Sequence, residues 1–286
     1  MPESEPGHRD LLVRASPDAY GTPPGDPGWF GADSLAWRVH ADLGPMLIGG
    51  LASLLLQSLH PLVMQGVEDH SEYRRDPFGR LQRTAEFIAA TTYGGEALAS
   101  QQVRRVQAIH RRVRGATPAG VSYSADDPEL LAYVHVTEVW SFLQAYQRYS
   151  PAPLLLEEKN RYLEEMSVVA YRLGAAEVPV TTGGVRAYLR KMRPSLGAGD
   201  AARATASFLT SPPPALGLGG RSAYLTLAEA GIDLLPSWAR PMLGLARPLV
   251  FRAGVVRPAA LALTAGLRFS IGPSPVLESA RKRARA

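Results

Sequence analysis

Apolar residues in this chain recur at helical spacing, and no stretch of any length alternates in the strand pattern. Residues 1–30 show neither period. They are rich in Pro, Gly and Asp (Pro23-Pro24-Gly25-Asp26-Pro27-Gly28) and are expected to form a loose arm. Helical signals begin near Ser34, with a short mixed piece over Leu35 to Leu43. Pro45 to Val67 is apolar nearly all round, which predicts a buried central helix kinked at Pro61. Asp76-Pro77 supplies a cap and first turn for a helix to about Tyr93, where Gly94-Gly95 breaks it. Glu96 to Arg114 is helical again and stops at Gly115. Asp126-Asp127-Pro128-Glu129 starts a helix to about Tyr149, and Leu154 to Leu173 forms the next, closed by Gly174. Shorter pieces follow over Gly184 to Met192, Ala201 to Leu209, Ser222 to Ala230 and, with interruptions, Ala239 to Phe269. Pro212-Pro213-Pro214 and Gly217 to Gly220 mark a loop. The expected fold is all-α with about eight to eleven helices. Its parts are an arm over 1–30, a single helical domain over 31–272 and a basic tail over 273–286.

Composition narrows the chemistry. Hydrophobic residues make up 46% and charged residues 20%, the mix of a globular chain. There is no cysteine, so disulfides, thiolate metal sites, iron–sulfur clusters and cysteine nucleophiles are excluded. Any metal must be held by histidine, carboxylate or a weaker ligand. The formal charge is +5, concentrated over Arg104 to Arg114 and in Arg281-Lys282-Arg283-Ala284-Arg285. Only Lys159, Lys191 and Lys282 are lysines, which reads as a high-GC bacterial genome. The polar, acidic start shows no basic segment followed by an apolar run, so a cytoplasmic protein is expected. Leu43 to Val67 contains Gln57, His60, Pro61 and Gln65, which suits a core helix better than a membrane span, and no transmembrane segment is expected. The apolar face and central position of the Arg104–Arg114 helix argue against nucleic-acid binding.

Of six histidines, His8 lies in the arm and His70 in a polar turn beside Glu68 and Asp69. His40, His60, His110 and His135 fall in apolar segments. At about 100° per residue, Val103, Val106, His110 and Val113 share one face while most of the arginines lie elsewhere. His110 is therefore either a satisfied core histidine or an axial haem ligand, which needs a neutral imidazole on a rigid element, apolar walls and nearby cations for the propionates. Arg80 and Thr84 share a helix face with Arg83 adjacent, a pattern that holds a carboxylate or orients bound oxygen, or is simply a solvated basic face. His60, before Pro61, is either a buried hydrogen-bonder or a pocket residue, because an imidazole is costly to bury alone. His135, three residues before Glu138, either supports a pocket or packs. A di-iron carboxylate bundle would need a second Glu-x-x-His pair, which the chain lacks.

Taken in order, several short stretches resemble the catalytic domain shared by latex-clearing protein (rubber oxygenase) and MpaB-type oxygenases. They are His60-Pro61, Asp69-His70-Ser71, Asp76-Pro77-Phe78-Gly79-Arg80-Leu81-Gln82-Arg83-Thr84, Ile109 to Gly115, Tyr123 to Leu131, Val134-His135, Leu173-Gly174 and Val178 to Thr181. The resemblance covers roughly residues 35 to 270. It implies a single-domain helical bundle of globin-like packing around a b-type haem, with iron on His110. It implies that Arg80 and Thr84 line the distal side, with His60 as distal hydrogen-bonder or base. Arg83, Arg114 and His135 are expected around the cofactor. Rubber-cleaving members carry a lysine at the position of Arg83, and arginine is a poor iron ligand. The expected function is a haem-dependent oxygenase or oxidase using O2 or peroxide on a small or medium apolar substrate. A non-catalytic haem-binding or haem-sensing protein is the alternative.

Overall fold

The computed structural model describes residues 16–71, 73, 75–272 and 274–286. His8 and the arm before Ser16 lie outside the described residues. As expected, the described chain is mostly helical.

Helices α1 (Leu35–His40), α2 (Leu43–Gln57) and α3 (Pro61–His70) come first. The apolar run expected as one kinked helix is instead two, because the chain turns by 104° between α2 and α3. Pro61 cannot donate to the preceding turn and takes the first helical position of α3. Then follow α4 (Pro77–Tyr93) and α5 (Glu96–His110). Asp76 caps α4 by accepting from Gly79 N at 2.8 Å, and Gly94 ends it. Strands β1 (Arg114–Ala116) and β2 (Ser122–Ser124) pair antiparallel, with Gly115 opposite Tyr123. This hairpin corrects the expected helix to Arg114. Gly115 lies so close to the Tyr123 ring that a side-chain carbon there would stand 2.5 Å from Tyr123 Oη.

Helices α6 (Pro128–Tyr149) and α7 (Leu156–Leu173) begin and end close to their expected signals. Asp127 accepts from Glu129 N and Leu130 N, and Gly174 adopts φ 98° after α7. The remainder comprises α8 (Thr182–Met192), α9 (Asp200–Thr210), α10 (Leu218–Leu234), α11 (Ala239–Met242), α12 (Leu249–Phe251), α13 (Arg257–Ile271) and α14 (Pro275–Arg285). A π-turn over Arg252–Val256 joins α12 to α13. The Gly217 to Gly220 loop is a correction, since α10 already includes Leu218 to Gly220.

Helix α2 is the hub. It packs on α6, α10 and α13 through glycines that let backbones meet. A side-chain carbon at Gly49 would lie 2.9 Å from Phe142 Cα of α6, and one at Gly44 2.6 Å from Thr264 of α13. Gly49→Ala should therefore destabilise the protein by ~1–2 kcal/mol, because overpacking outweighs the helix-propensity gain of alanine. Chemical denaturation checks this, and a variant as stable as the parent would show that α2 and α6 can separate freely.

The arm and tail differ from expectation where they are described. Tyr20 is buried, and Asp26 accepts from Glu96 N at 2.8 Å at the start of α5. Arg283, in the expected basic tail, is 1% exposed. Its guanidinium donates to the carbonyls of Tyr20 (2.7 Å), Asp26 (2.7 Å) and Tyr93 (2.8 Å). Five fixed donors on a planar fork suit three convergent carbonyls, which is how a charge is retained in the interior.

Candidate functional site

Helices α4 and α5 form a hairpin closed at Gly94-Gly95. Arg80 lies thirteen residues before Tyr93, and His110 fourteen after Glu96. At about 1.5 Å per residue both sit roughly 20 Å from the turn, at the same open end. Exposure rises along both helices away from the turn. On α5 it goes from buried Ala99 and Val103 to half-buried Val106 and His110, and on α4 from buried Thr91 to half-buried Phe87 and exposed Thr84.

His110 is the last residue of α5 and half-buried. Burial pushes its imidazole below the ordinary value, with the Asp126 carboxylate opposing. The ring is therefore neutral near pH 7, the form that donates to a metal. Among the described residues its ring forms no hydrogen bond, whereas its carbonyl accepts from Val113 N at 3.0 Å.

On α4, Arg80 is fixed from two sides. Its Nη1 donates to Ser71 Oγ at 2.7 Å, and its guanidinium lies 5.7 Å from the centre of the Tyr73 ring. Tyr73 Oη donates to Glu68 Oε1 at 2.7 Å and contacts Thr205 Oγ1 at 2.9 Å. Thr84 is exposed and returns its hydroxyl to Arg80 O at 3.1 Å. Arg83 is exposed and reaches Asp76 Oδ2 at 3.4 Å. Arg114, in β1, pairs with Asp126 at 3.0 Å. That same Asp126 faces His110 electrostatically, so one carboxylate couples the two.

His60 and His135 lie apart from that pair, His60 at the start of α3 and His135 in α6. His60 precedes α3 and is 7% exposed, its ring centre 5.0 Å from that of Tyr133 on α6. Its Nδ1 is buried without a hydrogen-bond partner. Burial pushes its pKa down, with Asp127 opposing. Burial lowers His135 to about 4 and raises its α6 neighbour Glu138 to about 7. At physiological pH His135 is therefore uncharged and Glu138 partly protonated. Among the described residues no hydrogen bond or ion pair joins His60 or His135 to the α4–α5 group. The nearest tie runs through α3: Asp69 Oδ2 accepts from Tyr123 Oη at 2.5 Å, and His70 Nε2 lies 3.1 Å from Tyr123 Oη and 3.2 Å from Arg114 O.

Three contributors were not expected from the residues alone. Tyr73 backs Arg80, Tyr123 latches the hairpin after α5 to α3, and His40 bridges Thr92 Oγ1 (2.8 Å) and Tyr162 Oη (3.0 Å). An aromatic residue a few positions after Asp69-His70 was the available signal for Tyr73. No local signal marks the other two, which act across more than fifty residues.

One helix pair of this all-helical domain thus carries a half-buried neutral histidine, a braced arginine and a threonine. Residues 37–265 match the family described as ER-bound oxygenase mpaB/B'/rubber oxygenase, catalytic domain, and the chain belongs to that family. It is a family of oxygenases. No curated protein and no solved structure matches the chain.

Proposed function

We propose that the protein is a haem-dependent oxygenase or oxidase that holds a b-type haem at the open end of the α4–α5 hairpin, with His110 as axial ligand. The observation that carries this reading is His110 itself. It is a half-buried, neutral imidazole without a ring hydrogen bond, at the end of an apolar stripe and level with Arg80 and Thr84. A porphyrin-held iron needs one protein donor rather than several, which suits a chain whose described residues gather no cluster of three or more His, Asp or Glu. When bound, the haem supplies the iron that activates O2 or peroxide.

The chain's own residues then divide the remaining tasks. Arg80, braced by Ser71 and the Tyr73 ring, presents fixed positive charge to a propionate or to developing negative charge. Thr84 needs only to leave the Arg80 carbonyl for its hydroxyl to serve a ligand. The unpartnered Nδ1 of His60 leaves a neutral imidazole free to make a hydrogen bond or accept a proton from a bound group. Arg83 stays protonated and binds no metal, so its part is electrostatic. Val106 and Phe87 offer apolar walls to a small or medium apolar substrate.

The test uses protein expressed with ample haem. A Soret band together with O2- or peroxide-dependent turnover of an apolar probe is expected. Arg80→Ala should slow turnover on the order of a hundredfold while keeping the band. A colourless protein overturns the reading. A Soret band without turnover supports the non-catalytic haem-binding alternative.

A further inference from the structure

Leu249–Ile271 is a continuous helical run of 23 residues, long and apolar enough to cross a membrane, yet only 17% of its apolar window is buried. Its sidedness is inverted relative to a helix bathed in water, whose charges point outward. Each of its three arginines turns inward. Arg252 Nη1 reaches Asp233 Oδ1 at 2.7 Å, Arg257 Nε reaches Asp233 Oδ2 at 2.8 Å, and Arg268 Nε reaches Asp42 Oδ1 at 3.0 Å. Thr264 is fully buried and returns its hydroxyl to Leu261 O. Until Ser270, the outward face is therefore apolar side chains alone. Val250 is 83% exposed, Val255 56%, Leu261 46% and Phe269 93%.

Monomers in water rarely expose such a continuous apolar strip. A protein partner would normally find about one hydrogen bond per 100–200 Å² of interface, and this face offers no polar side chain over some twenty residues. Hydrocarbon asks for none and penalises charge, which matches a strip whose arginines all turn to carboxylates on its inner side. Protein lies along that inner side: Thr264 rests on Gly44 of α2, while Val256 and Ala260 share a core with Ile48, Tyr149 and Ala230. If this run spanned, α2 and α10 on its inner side would enter the bilayer with it, together with the Asp42 and Asp233 carboxylates, so the run lies along a bilayer and not through it. We propose that the outer face of Leu249–Ile271 is a membrane seat, embedded in the acyl layer of a lipid bilayer as a monotopic attachment.

The test is flotation of the full-length protein with phosphatidylcholine vesicles, against the triple variant Val255→Glu, Leu261→Glu, Phe269→Glu. All three positions are solvent-facing, so the variant should retain its circular dichroism and melting temperature. The parent is expected to float with the vesicles, and the variant's bound fraction to fall about tenfold or more. Failure of the parent to float overturns the proposal, as does equal flotation of the folded variant. A dimer in vesicle-free buffer that the same substitutions dissolve, with no vesicle binding by the parent, would assign the face to a second copy instead. If the triple variant fails to fold, Phe269→Glu alone, at the most exposed position, is read the same way.

Discussion

Purified His110→Ala protein is expected to carry no Soret band while keeping the helical circular dichroism of the parent. The two halves of that expectation have separate causes. A b-type haem is held to its iron-binding side by one protein bond, so losing the imidazole removes the bond that fixes the macrocycle. The fold should survive because His110 ends α5, is half-buried and has no ring hydrogen bond to lose. Truncation there should cost about 1 kcal/mol or less. Exogenous imidazole should restore part of the band by filling the same position. His135→Ala is the control: the residue is 9% exposed in α6, and its loss should lower stability before it removes colour. A full Soret band in His110→Ala, or loss of the band in His135→Ala alone, would move the axial ligand elsewhere.

Sequence patterns anticipated this site unevenly. The hairpin that brings Arg80, Thr84 and His110 to one end is legible because its causes are local: Asp76-Pro77 starts α4, Gly94-Gly95 turns the chain, and the spacing from the turn does the rest. Helices α6 and α7 are legible for the same reason, with Asp127 at one start and Gly174 at one end. The packing of His60 against Tyr133 is not legible, because it depends on the 104° bend between α2 and α3, at which His60 sits. The β1–β2 hairpin has strands of three residues, too short for any period, and it is held by Tyr123 against Asp69 and His70. Arginines mislead most. A cluster at the C-terminus reads as solvated charge, yet Arg283 is enclosed by carbonyls between 190 and 263 residues away. The same holds for Arg252, Arg257 and Arg268, whose inward turn depends on Asp233 and Asp42 in other helices.

That dependence makes Asp233 the residue whose loss should cost the fold most. Its side chain is fully enclosed, and three guanidinium groups converge on it from α6 and from the run after α12: Arg148 at 2.8 Å, Arg252 at 2.7 Å and Arg257 at 2.8 Å. Burial alone would raise its pKa, but the hydrogen bond and charge of Arg257 with the charges and bonds of Arg148 and Arg252 outweigh it and hold the carboxyl below its ordinary value of 3.8. Asp233→Asn keeps the shape and removes the charge, leaving three half-buried cations around a neutral amide. Breaking a buried pair in this way costs about 3–5 kcal/mol. For a chain of this size that lowers the melting temperature by about 10 °C. The pH dependence follows from the direction of the shift. A depressed carboxylate contributes stability that is complete above its unfolded value and is lost as pH falls through the folded one. The parent should therefore lose stability below about pH 4, and Asp233→Asn should lose less over the same interval because that contribution is already absent. Urea denaturation at pH 7 and at pH 3 measures both. A pH 7 cost under about 1 kcal/mol, or an unchanged acid limb, would mean that the arginines find water when Asp233 goes, and that the inner side of Leu249–Ile271 is held by its apolar contacts alone.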